Sequence, residues 1–137
     1  MYGEVEYMYI ENIDTTVPIG ELRVLAFATE FETPVIEGEK TETIRYNLEY
    51  VPDQGEYLIG TTGDTAMLLS VTSVDQCNVS ELPSISFTGH KNYSSAEEAL
   101  EHLRNYYDDP ELTVSSDVLI LEFTYHTLLD PLQIPQF

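Results

Sequence analysis

Residues 117–125 of the chain, DVLILEFTY, form an apolar run rich in branched and aromatic side chains. Such residues favour a strand, and a run without strict polar alternation is typical of a strand that is covered on both faces. We therefore predict a central strand over Asp117–Tyr125. A strand of this kind needs flanking strands and a covering layer, and this requirement limits the folds that the rest of the chain can adopt.

Several other segments have the pattern of strands. Thr41–Val51 alternates between apolar and polar side chains, which predicts a half-buried strand. Pro52–Gly55 and Thr61–Asp64 have the composition of turns, so the segments from residue 41 to 74 are predicted to form an antiparallel meander. Thr33–Thr43 is predicted to be an acidic loop or hairpin tip. The other predicted strands are Glu4–Glu11, Leu22–Glu32, Glu56–Gly60, Ala66–Val74 and Ser84–Thr88.

One segment, residues 95–108, has the pattern of an amphipathic helix. Ser95 and Glu98 match the capping box at its start, and Asp109-Pro110 marks its end. Its apolar residues recur at spacings of three and four. We predict an α+β fold: a mostly antiparallel β-sheet of about five or six strands, with this helix packed on one face. The chain of 137 residues has the length of one domain, which we place at residues 1–129, followed by an extended tail at residues 130–137.

Motifs that carry chemistry are absent from the sequence. The single cysteine, Cys77, lies among acidic residues, which disfavour the reactive thiolate. His90, His102 and His126 have no spacing typical of metal ligands, and the glycines form no phosphate-binding loop. We therefore expect no cofactor, no metal and no enzymatic activity.

The N-terminus has neither the basic nor the apolar region of a signal peptide, and no apolar run approaches the roughly 20 residues that span a bilayer. The sequence therefore predicts a soluble cytoplasmic protein, located in the host-cell cytoplasm if it is viral.

The charge of the chain is its most unusual property. Twenty-five acidic residues face five basic ones, which gives a formal net charge of −20. Small domains usually carry a net charge of roughly 2–8 in magnitude. The excess argues against direct binding to nucleic acid or to an anionic membrane, because both need basic residues. We expect the acidic residues to serve a purpose that offsets their mutual repulsion.

Rows of carboxylates on a strand or a helix have separations that imitate the phosphates of a nucleic acid. In composition and size the chain resembles DNA-mimic proteins, such as phage anti-restriction and anti-CRISPR inhibitors and nuclease inhibitors. This resemblance implies an inhibitor that covers the positively charged surface of a basic, nucleic-acid-binding protein. The residues predicted to bind this partner are Glu30, Glu32, Glu37, Glu39, Glu101, Tyr106, Asp108, Asp109 and Glu111.

Two alternatives explain the same charge. In the first alternative, the chain is a structural or assembly subunit of a larger complex, for example a phage particle, and its acidity provides solubility. In the other alternative it is a halophile-adapted domain, although glutamate outnumbers aspartate and large apolar residues are common.

Overall fold

The computed structural model describes residues 7–18, 22–87 and 92–129, and the strands and helices given below lie within these ranges. The main sheet has five strands in the order β3-β5-β6-β7-β4, and β1 and β2 form a separate antiparallel pair. The bounds of the strands are β1 Tyr7–Ile10, β2 Thr15–Pro18, β3 Arg23–Phe27, β4 Glu42–Arg45, β5 Tyr57–Thr62, β6 Thr65–Asn78 and β7 Asp117–Leu129. The α-helices are α1, Glu32–Ile36, and α2, Ala96–Tyr107.

Three of the four neighbouring pairs in the main sheet are antiparallel, and only β3 with β5 is parallel. The predicted α+β class with a mostly antiparallel sheet is therefore confirmed. The apolar run predicted as a central strand is β7, which lies between β6 and β4 and extends beyond the prediction to Leu129. β5 and β6 pair antiparallel across the predicted turn at Thr61–Asp64, where Gly63 takes a positive φ of 63°, so this second half of the predicted meander is confirmed.

The predicted long strand Thr41–Val51 is wrong beyond its first half. β4 ends at Arg45, and Asn47 adopts a left-handed conformation with a φ of 57°. Asparagine tolerates this conformation better than most residues, so the chain leaves the sheet there. β4 pairs with β7 instead of β5, and the first half of the meander predicted over residues 41–74 is therefore wrong.

Two other segments differ from their predicted states. The strand predicted over Leu22–Glu32 ends at Phe27 and is followed by a 3-10 turn, Thr29–Phe31, and then by α1. α1 accepts Pro34 because a proline in the first turn of a helix lacks only an N–H that has no helical partner. The predicted strand at residues 84–88 is wrong over its described part, because Val79–Ser84 is a 3-10 helix and residues 85–87 have no regular structure.

The predicted helix is confirmed as α2. Ser95 caps it: the Glu98 N–H donates to Ser95 Oγ at 3.1 Å. Asp108 ends it in a left-handed conformation with a φ of 51°. The buried side chains of Ala99 and Leu103 place α2 on one face of the sheet, where they pack with residues of β4, β7 and the 3-10 helix.

The sheet curls so that its two edge strands approach each other. The Arg45 guanidinium carbon at the end of β4 lies 5.0 Å from the ring centroid of Phe27 at the end of β3. At the other end of β3, the Arg23 guanidinium carbon lies 4.3 Å from the ring centroid of Tyr50. We call the region between β3 and residues 43–50 the seam. β3 and β4 are the outermost strands of the sheet, so the seam is an opening between its two edges.

Three predictions lie outside the described residues in part or in full. These are residues 4–6 of the first predicted strand, residue 88 of the predicted strand at 84–88, and the extended tail at residues 130–137.

Candidate functional site

A cavity of about 140 Å³ opens at one end of the seam. We call it the site cavity. Three segments build its walls: the end of β3 with the 3-10 turn after it, residues 40–45, and the last two turns of α2. The lining residues are Phe27, Ala28, Glu30, Phe31, Lys40, Thr43, Ile44, Arg45, His102, Leu103, Tyr106 and Tyr107.

The end of α1 brings Lys40 to the cavity. Gly38, with a φ of 76°, reverses the chain after the helix. The N–H groups of Gly38 and Glu39 donate to the carbonyl oxygens of Val35 and Pro34 at 3.2 and 2.8 Å. This is the Schellman arrangement, which satisfies the last carbonyls of the helix and fixes the direction of the residues that follow. The Lys40 N–H also donates to the Pro34 carbonyl oxygen, at 3.0 Å.

Lys40 is buried, with only 1% of its surface exposed. Its Nζ donates to the Glu42 carbonyl oxygen at 2.9 Å and lies 4.6 Å from the ring centroid of Phe31. The pKa of Lys40 is lowered to about 8, mainly by burial and also by the nearby Arg45 charge, while Glu42 acts in the opposite direction. A buried ammonium whose pKa is near neutrality is typical of functional lysines.

Thr43 and Arg45 stand next to Lys40 on the same wall. They lie two residues apart on β4, so they project from the same face of the strand. Arg45 Nε donates to Thr43 Oγ1 at 3.2 Å, and burial lowers the pKa of Arg45. The guanidinium packs on Phe27, as described above. The wall therefore presents two cations and a hydroxyl that is only slightly exposed, held by aromatic rings and by one another.

Tyr107 of α2 joins the opposite wall to β4. Its hydroxyl accepts a hydrogen bond from the Tyr46 N–H at 3.2 Å and donates to the Ile44 carbonyl oxygen at 3.3 Å. These two backbone groups flank Arg45 in the chain. Burial raises the pKa of Tyr107, so its hydroxyl keeps its proton at neutral pH. Tyr107 thereby fixes the position of the helix end relative to Arg45.

His102 on the same helix is held by Tyr93, the residue two positions before the cap. The phenol oxygen of Tyr93 lies 2.5 Å from His102 Nδ1. Burial raises the pKa of Tyr93 to about 12, so the phenol stays protonated, and its hydrogen bond fixes the orientation of the His102 ring.

The structure brings two of the nine residues predicted to bind a partner into the lining of the site cavity. Glu30 and Tyr106 line the site cavity, and Tyr106 is 59% exposed at its rim. Glu32 instead accepts a hydrogen bond from Thr65 Oγ1 at 2.8 Å. Glu37 and Glu39 lie next to each other after α1, and Glu101 is exposed on α2. Asp108 caps α2, and the Asp109 carboxylate accepts a hydrogen bond from the Glu111 N–H at 2.9 Å. Their role in binding a partner stays a prediction.

Lys40, Thr43 and Arg45 are not among the residues that the sequence predicts for a functional site. A signal was present: two of the five basic residues of the chain lie within the six-residue stretch KTETIR, with a threonine two positions before the arginine. The assignment of residues 33–43 to a loop concealed it, because a loop lysine in an acidic chain is normally solvated.

Other chemistry finds little support over the ranges that the structure describes. There, no group of three or more His, Cys, Asp or Glu side chains is close enough to hold a metal ion. Burial raises the pKa of Cys77, and Glu81, Asp117 and Asp75 raise it further, which disfavours its thiolate. Among the described helices, none is long and apolar enough to cross a membrane.

Comparisons with protein-family models and with curated proteins give no match. Solved structures do match. A mutant of the ASCH protein from Zymomonas mobilis is similar with a TM-score of 0.57 and 15% identity, over 85% of this chain and 79% of that one. The ASCH domain from Lactobacillus crispatus gives 0.55 and 18%, over 77% and 80%. Protein EF3133 from Enterococcus faecalis gives 0.55 and 17%, over 79% and 82%. The chain therefore has an ASCH-like fold.

These neighbours overturn the interpretation of the charge. They are ASCH domains and a similar protein, not DNA-mimic inhibitors, and nothing in them indicates anti-restriction or anti-CRISPR activity or a viral origin. The predicted DNA-mimic function is therefore wrong. A basic protein as partner, to the exclusion of nucleic acid, also lacks support. The physical reason is that net charge averages over the whole surface, whereas Lys40 and Arg45 are concentrated in one cavity.

Proposed function

We propose that the site cavity binds one nucleotide unit of a nucleic acid. The observation that carries this proposal is the convergence of Lys40, Thr43 and Arg45 in an aromatic-walled cavity. Both cations are held by groups of the fold, Lys40 at the Glu42 carbonyl oxygen and Arg45 at Thr43 Oγ1. A chain with only five basic residues holds two of them there. A wall with two cations attracts an anionic or strongly polar ligand.

The dimensions and walls of the cavity favour a small, flat ligand. Sites for drug-sized molecules have volumes of roughly 300–1,000 Å³, and this cavity is smaller. Tyr106 presents an exposed ring at the rim, where a base can stack. Arg45 and Thr43 offer donors suited to a phosphate or to the carbonyl groups of a base. One nucleotide combines a flat ring with such acceptors.

The net charge of −20 restricts the ligand further. A long duplex brings many phosphates close to the acidic surface, and its binding requires many basic contacts. A single nucleotide or a short single strand brings few. The proposal therefore concerns a short, single-stranded ligand, and the acidic surface disfavours extended polyanions.

Calorimetric titration of the protein with a nucleoside monophosphate tests the proposal. We expect Arg45→Ala and Lys40→Met each to weaken binding by about tenfold or more, as for the loss of a hydrogen bond to a charged group. Tyr106→Ala is expected to weaken it by a smaller factor through the loss of stacking.

Arg104→Gln is the matched control. Arg104 also lies on α2, but its Nε donates to the Leu112 carbonyl oxygen at 2.8 Å, and it does not line the cavity. If Arg104→Gln weakens binding as much as Arg45→Ala does, general charge and not the cavity determines affinity. Absence of binding to the wild-type protein would contradict the proposal directly.

The pKa of Lys40 supports a second candidate function, hydrolysis of the bound ligand. A lysine whose pKa is lowered to about 8 is suited to act as a general base, which would accept the proton of an attacking water or of the Thr43 hydroxyl on the same wall. The expectation from the sequence that the chain is not an enzyme stays a prediction. Incubation of the protein with short single-stranded RNA, at pH 7 and pH 9, shows whether the RNA is hydrolysed or only bound. Turnover that is retained in Lys40→Met would exclude Lys40 as the base.

A further inference from the structure

A second cavity lies along the same seam. It has a volume of about 430 Å³, and we call it the far cavity. The two cavities follow one another on both walls. On the β3 wall, residues 23–25 line the far cavity and Phe27 lines the site cavity. On the facing wall, residues 47–50 line the far cavity and residues 43–45 line the site cavity. Together they form one groove along the opening of the sheet.

The far cavity, like the site cavity, contains an arginine packed on an aromatic ring. The Arg23 guanidinium lies over the Tyr50 ring, and the Tyr50 hydroxyl donates to Glu56 Oε1 at 2.7 Å, which holds the ring in place. Tyr50 is exposed by 38%. An arginine stacked on a tyrosine provides a flat cationic surface, which is suited to a base and to the phosphate beside it.

Cations are concentrated along this groove. The described part of the chain contains Arg23, Lys40, Arg45 and Arg104, and the first three line the two cavities. Acidic residues are present as well: Glu30 lines the site cavity, Glu49 lines the far cavity, and Glu56 and Asp53 lie beside Tyr50. The three cations are therefore nearly balanced by carboxylates, whereas the chain as a whole has 25 acidic and five basic residues.

We propose that the groove along the seam is the path of a single strand of nucleic acid, with one unit in the site cavity and a flanking base on the Arg23–Tyr50 pair. This inference rests on the proposed function. Stacking supplies most of the affinity of the flanking unit, because Glu49 partly offsets the charge of Arg23. With at most three phosphate contacts, the logarithm of affinity falls with the logarithm of salt concentration with a slope no steeper than about −2.

Two probes separate the groove from the site cavity: uridine 5′-monophosphate and a single-stranded uridine hexanucleotide, both titrated into the wild-type protein. The hexanucleotide is expected to bind more tightly. Tyr50→Ala and Arg23→Ala should each weaken hexanucleotide binding by about fivefold or more, since stacking contributes about 1–3 kcal/mol per base. They should change monophosphate binding by less than about twofold, because neither residue lines the site cavity.

Two control variants refine the test. Tyr50→Phe keeps the ring and loses only the hydrogen bond to Glu56, so it should retain most of the hexanucleotide affinity. Tyr9→Ala removes an exposed tyrosine on β1, outside the groove, and should have no effect. Thermal melting of each variant identifies any loss of folding.

The outcomes distinguish the two proposals. If the wild-type protein binds the hexanucleotide no more tightly than the monophosphate, or if Tyr50→Ala and Tyr9→Ala behave alike, the groove is not the path, although the site cavity can still bind one nucleotide. If neither probe binds, both proposals are wrong. If the hexanucleotide binds and Arg45→Ala leaves monophosphate binding unchanged, the proposed function fails at the site cavity.

Discussion

Lys40 shows how one side chain couples the fold to the candidate site. Its ammonium is buried against the Phe31 ring and the Glu42 carbonyl oxygen, and its pKa falls from an ordinary 10.5 to about 8. Between about pH 8 and pH 10.5, Lys40 binds a proton in the unfolded chain but has released it in the folded chain. Burial of the charged form therefore destabilises the fold below pH 8, and this penalty is relieved as the pH rises.

The dependence of stability on pH tests this description of Lys40. The free energy of unfolding of the wild-type protein, relative to that of Lys40→Met, should increase by about 2 kcal/mol between pH 6.5 and pH 9.5. Urea denaturation of both proteins at the two pH values measures this difference. Since Lys40→Met retains all other titrating groups, their contributions cancel. A difference that stays constant with pH would show that the Lys40 pKa is not lowered.

Gly38 controls the same site through the backbone. Its φ of 76° is left-handed, and a Cβ added there would have nothing within 4 Å, so only the backbone conformation opposes a side chain. Gly38→Ala should cost about 1 kcal/mol of stability and shift Lys40, and should therefore also weaken ligand binding. Gly55→Ala is a matched control, because Gly55 has a φ of 89°, equally open space and no role in the cavity. Equal effects of both changes on binding would contradict a specific role for Gly38.

At the scale of elements, the predictions that held were those with local causes. α2 was predicted because its cap, its apolar stripe and its end are all encoded within the helix. β7 and the β5–β6 hairpin have similarly local patterns. The predictions that failed depend on distant partners. Residues 46–50 keep the alternation of a strand, but they could extend β4 only if β7 began earlier in the chain. β7 begins at Asp117, opposite Asn78 of β6. Alternation alone does not identify the strand that a segment pairs with.

The contact between α2 and β4 depends on one hydroxyl. Tyr107→Phe removes its hydrogen bonds to the Ile44 and Tyr46 backbone while keeping the ring, and should cost about 1–3 kcal/mol because two partly buried groups lose their partner. We also expect monophosphate affinity to fall, because Arg45 lies between those groups. Tyr106→Phe alters the neighbouring exposed hydroxyl and provides the comparison. Arg45 Nε–H resonances in NMR spectra report its position. Unchanged Arg45 resonances in Tyr107→Phe would show that Tyr107 does not hold it.

For the molecule as a whole, the net charge of −20 remains a source of repulsion. The site could not be predicted from this charge, because the cavity unites three segments, of which the last two are separated by the 56 residues 46–101. No local pattern shows that Phe27, Lys40 and Tyr107 share a cavity. The signals of fold class are local, whereas the signal of the site arises only from tertiary packing.

Salt should therefore stabilise the folded molecule. Raising sodium chloride from 0.01 to 1 M shortens the Debye length from about 30 to about 3 Å, which screens the repulsion between surface carboxylates. We expect the free energy of unfolding to rise by about 1 kcal/mol, which corresponds to a rise in melting temperature of roughly 2–8 °C. A variant that combines Glu37→Gln, Glu39→Gln, Glu101→Gln and Glu111→Gln should respond less to salt. A melting temperature that is insensitive to salt in the wild-type protein would rule out net repulsion as a significant cost.

The pairing of β4 with β7 also has a consequence for the order of events during synthesis. Residues 42–45 find their partners only at residues 119–122, and the third wall of the site cavity comes from α2. Such distant contacts form late, because the intervening chain must first be brought together. In a nascent chain on the ribosome, Lys40 and Arg45 are therefore present before the walls that bury them in the folded protein. The cavity is completed only when nearly all of the described chain has emerged.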